Sequence, residues 1–194
     1  METNQLGKKG KVLAAAAGML LVVFSFSATA GYAASAREID TSVNVAMDRF
    51  YKEVKGAKEF AKTAKGMLVL PGVIKAGLGV GGEYGEGALR VGGKTVDYYN
   101  IAAASFGLQI GAQKKDILIA FMTDEALKQF RNSKGWEAGV DGNIALISIG
   151  AGGSIDTATI KDPVVAFVFD VKGLMADVSL KGSKFTKLDK SKDK

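Results

Sequence analysis

The sequence of 194 residues contains no cysteine and no histidine. The first absence excludes a disulfide, a thiolate nucleophile and a lipidated N-terminal cysteine. The second removes imidazole as a general base, and together they leave carboxylates as the remaining common zinc ligands. The carboxylates do not take up these roles: Asp124-Glu125 reads as a helix start, and Asp141-Gly142-Asn143 lacks the other ligands of a calcium loop. No catalytic residue, metal ligand or cofactor site is therefore expected. The body of the chain also lacks an excess of one charge. Residues 34–179 carry 17 Lys or Arg against 17 Asp or Glu, and a basic surplus stands only in 180–194, where six lysines face Asp189 and Asp193. A body balanced in this way does not read as a nucleic-acid interface.

What the chain has in quantity is glycine. In "AGLGVGGEYGEGALRVGGKT" (76–95), Gly77, Gly79 and Gly82 satisfy the spacing of a dinucleotide fingerprint, but the chain continues Glu83-Tyr84-Gly85-Glu86-Gly87. That is poor helix, and it places two carboxylates where a pyrophosphate would need helix amides. Gly93-Lys94-Thr95 fits the end of a phosphate-binding loop whose required first glycine is Ala88. No nucleotide partner is expected. The alternation offers another reading, since glycines 77, 79, 81, 85 and 87 share one parity and Ala76, Leu78, Val80, Tyr84 and Ala88 the other. This is a strand with one face stripped of side chains, suited to strong twist, bending or close approach of another element. Close cover is expected at Gly79 and Gly81.

The first 33 residues read as an export signal: Lys8, Lys9 and Lys11 precede an apolar stretch from Val12 to Phe26, and Ala28-Thr29-Ala30 and Gly31-Tyr32-Ala33 offer small-residue cleavage sites. The remainder divides into a domain over 34–188 and a short basic tail over 189–194.

Asp40 to Lys65 shows helical periodicity, with Val43, Met47, Phe50, Val54, Ala57, Ala61 and Ala64 recurring every three or four residues. Asp40 or Thr41 can cap its start, and Gly66 can stop it. Tyr51, Lys55, Lys58, Lys62 and Lys65 line one flank of the stripe. A membrane-interfacial helix has this form, and so does a helix packed on its own sheet with solvated lysines. Downstream, 104–112 and 174–180 alternate, whereas 117–122 and 164–169 are continuous apolar runs suited to strands buried on both faces. Thr123 caps a short helix with Leu127 and Phe130 on its inner side and Gly135 as its stop. The fold expected is α+β: a single domain with a long N-terminal amphipathic helix, a glycine-rich and largely antiparallel sheet, and a short inserted helix.

Four segments, "AKGMLVLPGVIKAGLGVGGEYGEG", "YYNIAAASFGLQIGAQ", "AFMTDEALKQF" leading to "GWEAGVDG", and "GLMADVSLKGSKFTKL", resemble the SYLF family in order and in length. The resemblance implies a non-enzymatic domain that binds lipid through its N-terminal helix. The exported, bacterial-type character of this chain implies anionic lipids other than phosphoinositides as partners. Its lipid-contacting residues would then be Phe50, Tyr51, Lys55, Lys58, Lys62 and Lys65, and its place periplasmic or peripheral to a membrane. A second reading is an exported structural protein that docks a protein partner on the glycine-bared sheet face.

Overall fold

The computed structural model describes residues 34–149, 153–155, 160–173 and 179–191. The expected export signal over 1–33 and the alternation at 174–178 lie outside these residues. The fold is α+β; the described residues form helices α1 (Ala36–Glu53), α2 (Ala57–Thr63) and α3 (Asp124–Asn132) and six strands. The strands are β1 (Gly66–Val91), β2 (Lys94–Phe121), β3 (Trp136–Glu137), β4 (Ala145–Ser148), β5 (Val164–Gly173) and β6 (Lys184–Leu188). Every pairing is antiparallel except that of β4 with β5, so the sheet is largely antiparallel as expected.

The long ribbon of β1 and β2 organises the domain. It closes at Gly92-Gly93 and pairs from Val91↔Lys94 back to Gly66↔Phe121. On its other edge β2 meets β6 over 98–102 and β5 over 113–121, so one strand serves two parts of a curled sheet. The curl brings the two halves of β1 face to face. A Cβ on Gly85 would stand 2.7 Å from Val73 Cγ2, and one on Gly87 would overlap the carbonyl oxygen of Val69 and stand 2.8 Å from Leu70 Cα. The glycine-bared face is thus filled by the strand itself, which corrects the reading of that face as a docking surface at Gly85 and Gly87. The expected close cover at Gly79 is also corrected: among the described residues nothing lies within 4 Å of its Cβ position, and its φ of +76° serves a bulge in β1.

Two apolar layers result. Inside the curl, Leu68, Leu70, Val73, Leu89, Ile117, Ile119 and Phe121 pack with Phe130 of α3 and with Trp136 and Phe185. On the outer face Val69, Ala88, Leu118, Ala120, Val165 and Phe167 receive Val43, Met47 and Phe50 of α1 and Phe60 of α2. The runs 117–121 and 164–169 are therefore buried on both faces, as their unbroken apolarity predicts.

The single helix expected over Asp40 to Lys65 is two helices. Ser35, not Asp40 or Thr41, caps the start: its hydroxyl accepts from Glu38 N–H, and the Glu38 carboxylate accepts from Ser35 N–H. Asp40 accepts hydrogen bonds from Thr95 and Tyr98 instead. The break falls at Val54 to Gly56, where Gly56 adopts φ +85° and Lys55 bridges to Ser154. Lys55 N–H donates to Gly153 O at 3.0 Å and Ile155 N–H to Lys55 O at 2.9 Å, so a backbone bridge replaces the helical turn. Gly66 is not a stop but the first residue of β1, and α3 likewise ends at Asn132, before Gly135.

Candidate functional site

The break between α1 and α2 decides what the sequence-predicted site residues can do. Phe50 is fully buried, with its ring 5.5 Å from that of Phe167 and 5.2 Å from that of Phe169. Its assignment as a lipid contact is corrected: the apolar stripe carrying it also holds α1 to the sheet, and burying a side chain of this size stabilises by about 1.5–3 kcal/mol. Val43, Met47, Val54 and Ala57 of the same stripe are buried with it.

The polar members remain at the surface. Tyr51 is half-buried beside Phe50, and burial raises its hydroxyl pKa, against the opposing charge of Arg90. Lys55 and Lys58 are exposed, and with Tyr51, Lys52, Glu53 and Glu59 they line an open groove of about 420 Å³ at the junction of the helices. Lys62 pairs with Glu59 at 2.9 Å and Lys65 with Asp124 at 3.6 Å, both at the surface. The kink groups Tyr51, Lys55 and Lys58 around one groove and leaves Lys62 and Lys65 beyond it, each beside a carboxylate.

Two polar clusters are not apparent from periodicity. Arg49 pairs with Asp116 and, at 2.7 Å, with Asp170, tying α1 to β2 and β5; Asp116 also accepts from Gly72 N–H at 2.8 Å. These residues border a depression of about 390 Å³ together with Val45, Lys114 and Lys172. Inside the curl, Lys115 Nζ meets Glu83 at 3.2 Å, with both side chains withdrawn from solvent and the Gln113 amide buried nearby in the same strand as Lys115. This pair joins the second half of β1 to the second half of β2 across the curl. Its sequence signal was a charge at a strand position of inward parity, which only the register could reveal. The tail also holds a structural lysine: Lys190 is buried, and its Nζ donates to Ala34 O at 2.6 Å at the start of α1.

Among the described residues there is no group of three or more acidic side chains placed to hold a metal, and no helix is long and apolar enough to cross a membrane. Residues 102–194 match the family model described as "Ysc84: Las17-binding protein actin regulator". Just under half of the chain is thus similar to the Ysc84/SYLF family. This is a non-enzymatic family with a lipid-binding or actin-regulator-like role. No curated protein matches the chain. The SYLF match takes in β2 from Ala102 onward together with α3 and β3 to β6, and stops short of α1, α2 and β1. The groove at the helix junction therefore lies outside the segment that carries the family signature.

Proposed function

We propose that the protein is an exported SYLF domain that rests on membranes by contact between anionic lipid headgroups and the exposed lysines of the α1–α2 junction, without enzymatic activity. One observation carries this reading: Lys55 and Lys58, with Lys52, surround an open groove while the apolar stripe beside them is committed to the core. The contact is then electrostatic, made by a folded domain whose helices stay docked. Each lysine held near an anionic surface contributes about 1 kcal/mol, so the three together give reversible binding that weakens as salt shortens the screening length. The basic and apolar pattern of residues 1–33 supports export, with a periplasmic or peripheral membrane location. N-terminal sequencing of protein from the exported fraction tests it, with a start between residues 31 and 37 expected.

The membrane reading is tested by flotation of the full chain with vesicles of phosphatidylcholine alone or mixed with phosphatidylglycerol, at two salt concentrations. Replacing Lys55, Lys58, Lys62 and Lys65 by Gln should weaken binding to the mixed vesicles by orders of magnitude. Replacing Lys128, Lys134, Lys181 and Lys184, which are equal in number and exposed on other elements, is the control. Loss of binding in the control set alone would move the site away from the helix junction. Binding unaffected by either set or by salt would overturn the electrostatic membrane reading.

A further inference from the structure

The middle of the ribbon has no further strand beside it among the described residues. Among the described residues β5 pairs with β2 only from 113 and β6 only up to 102, so the stretch of β2 between them has β1 as its sole neighbour. Along this stretch β1 presents apolar side chains to solvent: Leu78 is 78% exposed, Val80 63%, Ile74 56% and Tyr84 51%. The bulge at Leu78/Val80 and the positive φ of Gly79 bend the ribbon there.

Residues 73–82 and 101–115 contain no Asp or Glu, and of their three lysines Lys75 and Lys115 are buried while Lys114 is exposed. Lys114 lies opposite Ile74 across the β1–β2 pair and opposite Lys172 across the β2–β5 pair, so Ile74, Lys114 and Lys172 form one row over three strands. Cross-strand partners share a face, and Lys114 and Lys172 are exposed, as Ile74 is. The neighbouring carboxylates are engaged: Asp116 by Arg49, Asp170 by Arg49 and Lys172, and Glu83 by Lys115. Leu78 lies four residues beyond Ile74, about 13 Å farther along the strand. An apolar tip above a row of lysines is complementary to an anionic bilayer, with the side chains entering the acyl boundary and the ammonium groups at headgroup level. Tyr84, whose hydroxyl donates to Glu86 at 2.7 Å, suits the same boundary with one apolar and one polar end.

We infer that the bend of the β1–β2 ribbon inserts Leu78 and Val80 into the surface of anionic bilayers, as a second contact separate from the lysines of the helix junction. The inference rests on the membrane reading above and adds an apolar component to it. The absence of native cysteine permits a direct test. The full chain carrying Leu78→Cys is labelled with an environment-sensitive fluorophore, and so is a second protein carrying Val140→Cys, an exposed position away from the ribbon. Both are titrated with phosphatidylcholine vesicles with and without phosphatidylglycerol. A blue-shifted, brighter emission at position 78 and not at 140, in the anionic vesicles, is expected. The unlabelled Leu78→Thr, Val80→Thr protein should bind about tenfold or more weakly while keeping the wild-type melting temperature. Flotation with vesicles without an emission change at position 78 would overturn the insertion and leave the lysine contact standing. An emission change that follows protein concentration in the absence of vesicles would assign the face to a second copy of the chain and overturn it as well. Failure of the wild-type protein to float with either vesicle would remove both the insertion and the membrane reading on which it rests.

Discussion

Gly79 and Gly87 belong to one strand and one glycine-rich pattern, and they have opposite surroundings. At Gly87 the first half of β1 crosses so closely that no Cβ fits, whereas at Gly79 the Cβ position faces open space and the backbone bends. Around Gly87 the sheet is closed on itself and covered by α1. Around Gly79, among the described residues, the ribbon has neither a third strand nor a helix over it. The same local pattern thus permits close packing where the chain folds back on itself and an exposed bend where it does not. The apolar residues beside the two glycines follow suit, with Ala88 buried and Leu78 open.

The strongest test of this contrast is Gly87→Val. Its side chain would have to displace the backbone at Val69 and Leu70, and we expect a loss of about 5 kcal/mol or failure to fold, read by circular dichroism and urea denaturation. A stable Gly87→Val protein would mean that the two halves of β1 are not in contact. Next in size is Lys115→Ala, which leaves Glu83 as an uncompensated buried charge across the curl and should cost about 3 kcal/mol. Replacing the pair together, Glu83→Leu with Lys115→Met, should cost clearly less than Lys115→Ala alone. Gly79→Val should cost only about 1–2 kcal/mol, from backbone strain at positive φ with no steric clash. A Gly79→Val penalty equal to that of Gly87→Val would erase the distinction between the two sites.

The smallest effect is expected opposite Gly87, at Tyr99. Burial, reinforced by the Asp97 carboxylate, lifts its hydroxyl pKa from 10.0 to about 12. The folded state then holds this proton more tightly than the unfolded state, so the contribution is present below pH 10 and is lost as pH rises toward 12. Tyr99→Phe removes a buried hydroxyl that has no hydrogen-bond partner among the described residues. It should change stability at neutral pH by less than about 1 kcal/mol and shift alkaline unfolding to higher pH, followed by fluorescence across pH 9 to 12.

Much of this architecture is legible in residue order. The period of three and four through Val43, Met47 and Phe50 specifies a helix with one apolar side, and 117–121 and 164–169 specify strands buried twice over. The inserted helix follows from Thr123, Leu127 and Phe130, with the Thr123 hydroxyl accepting from Ala126 N–H. These are local signals, set by spacing and capping within a few residues. The break at Gly56 is not local, because a stop there depends on Ser154 and Ile155 arriving to bridge Lys55. Nor is the burial of Phe50, since a stripe at helical spacing is equally suited to a bilayer and to a sheet until a sheet is present to receive it. The candidate site divides in the same way. The lysines at 55, 58, 62 and 65 can be read directly, but the kink that groups the first two around a groove and leaves the others beside carboxylates cannot.

What the sequence determined by itself is the class of the fold, the strand and helix material, and the absence of imidazole and thiol chemistry, because periodicity, capping and composition are properties of neighbouring residues. The tertiary structure alone decided which half of the glycine strand is covered, that Lys115 meets Glu83, and that Ile74, Lys114 and Lys172 share one row. These depend on register between segments tens of residues apart. A slip of one residue would turn each of those side chains to the other face of the sheet.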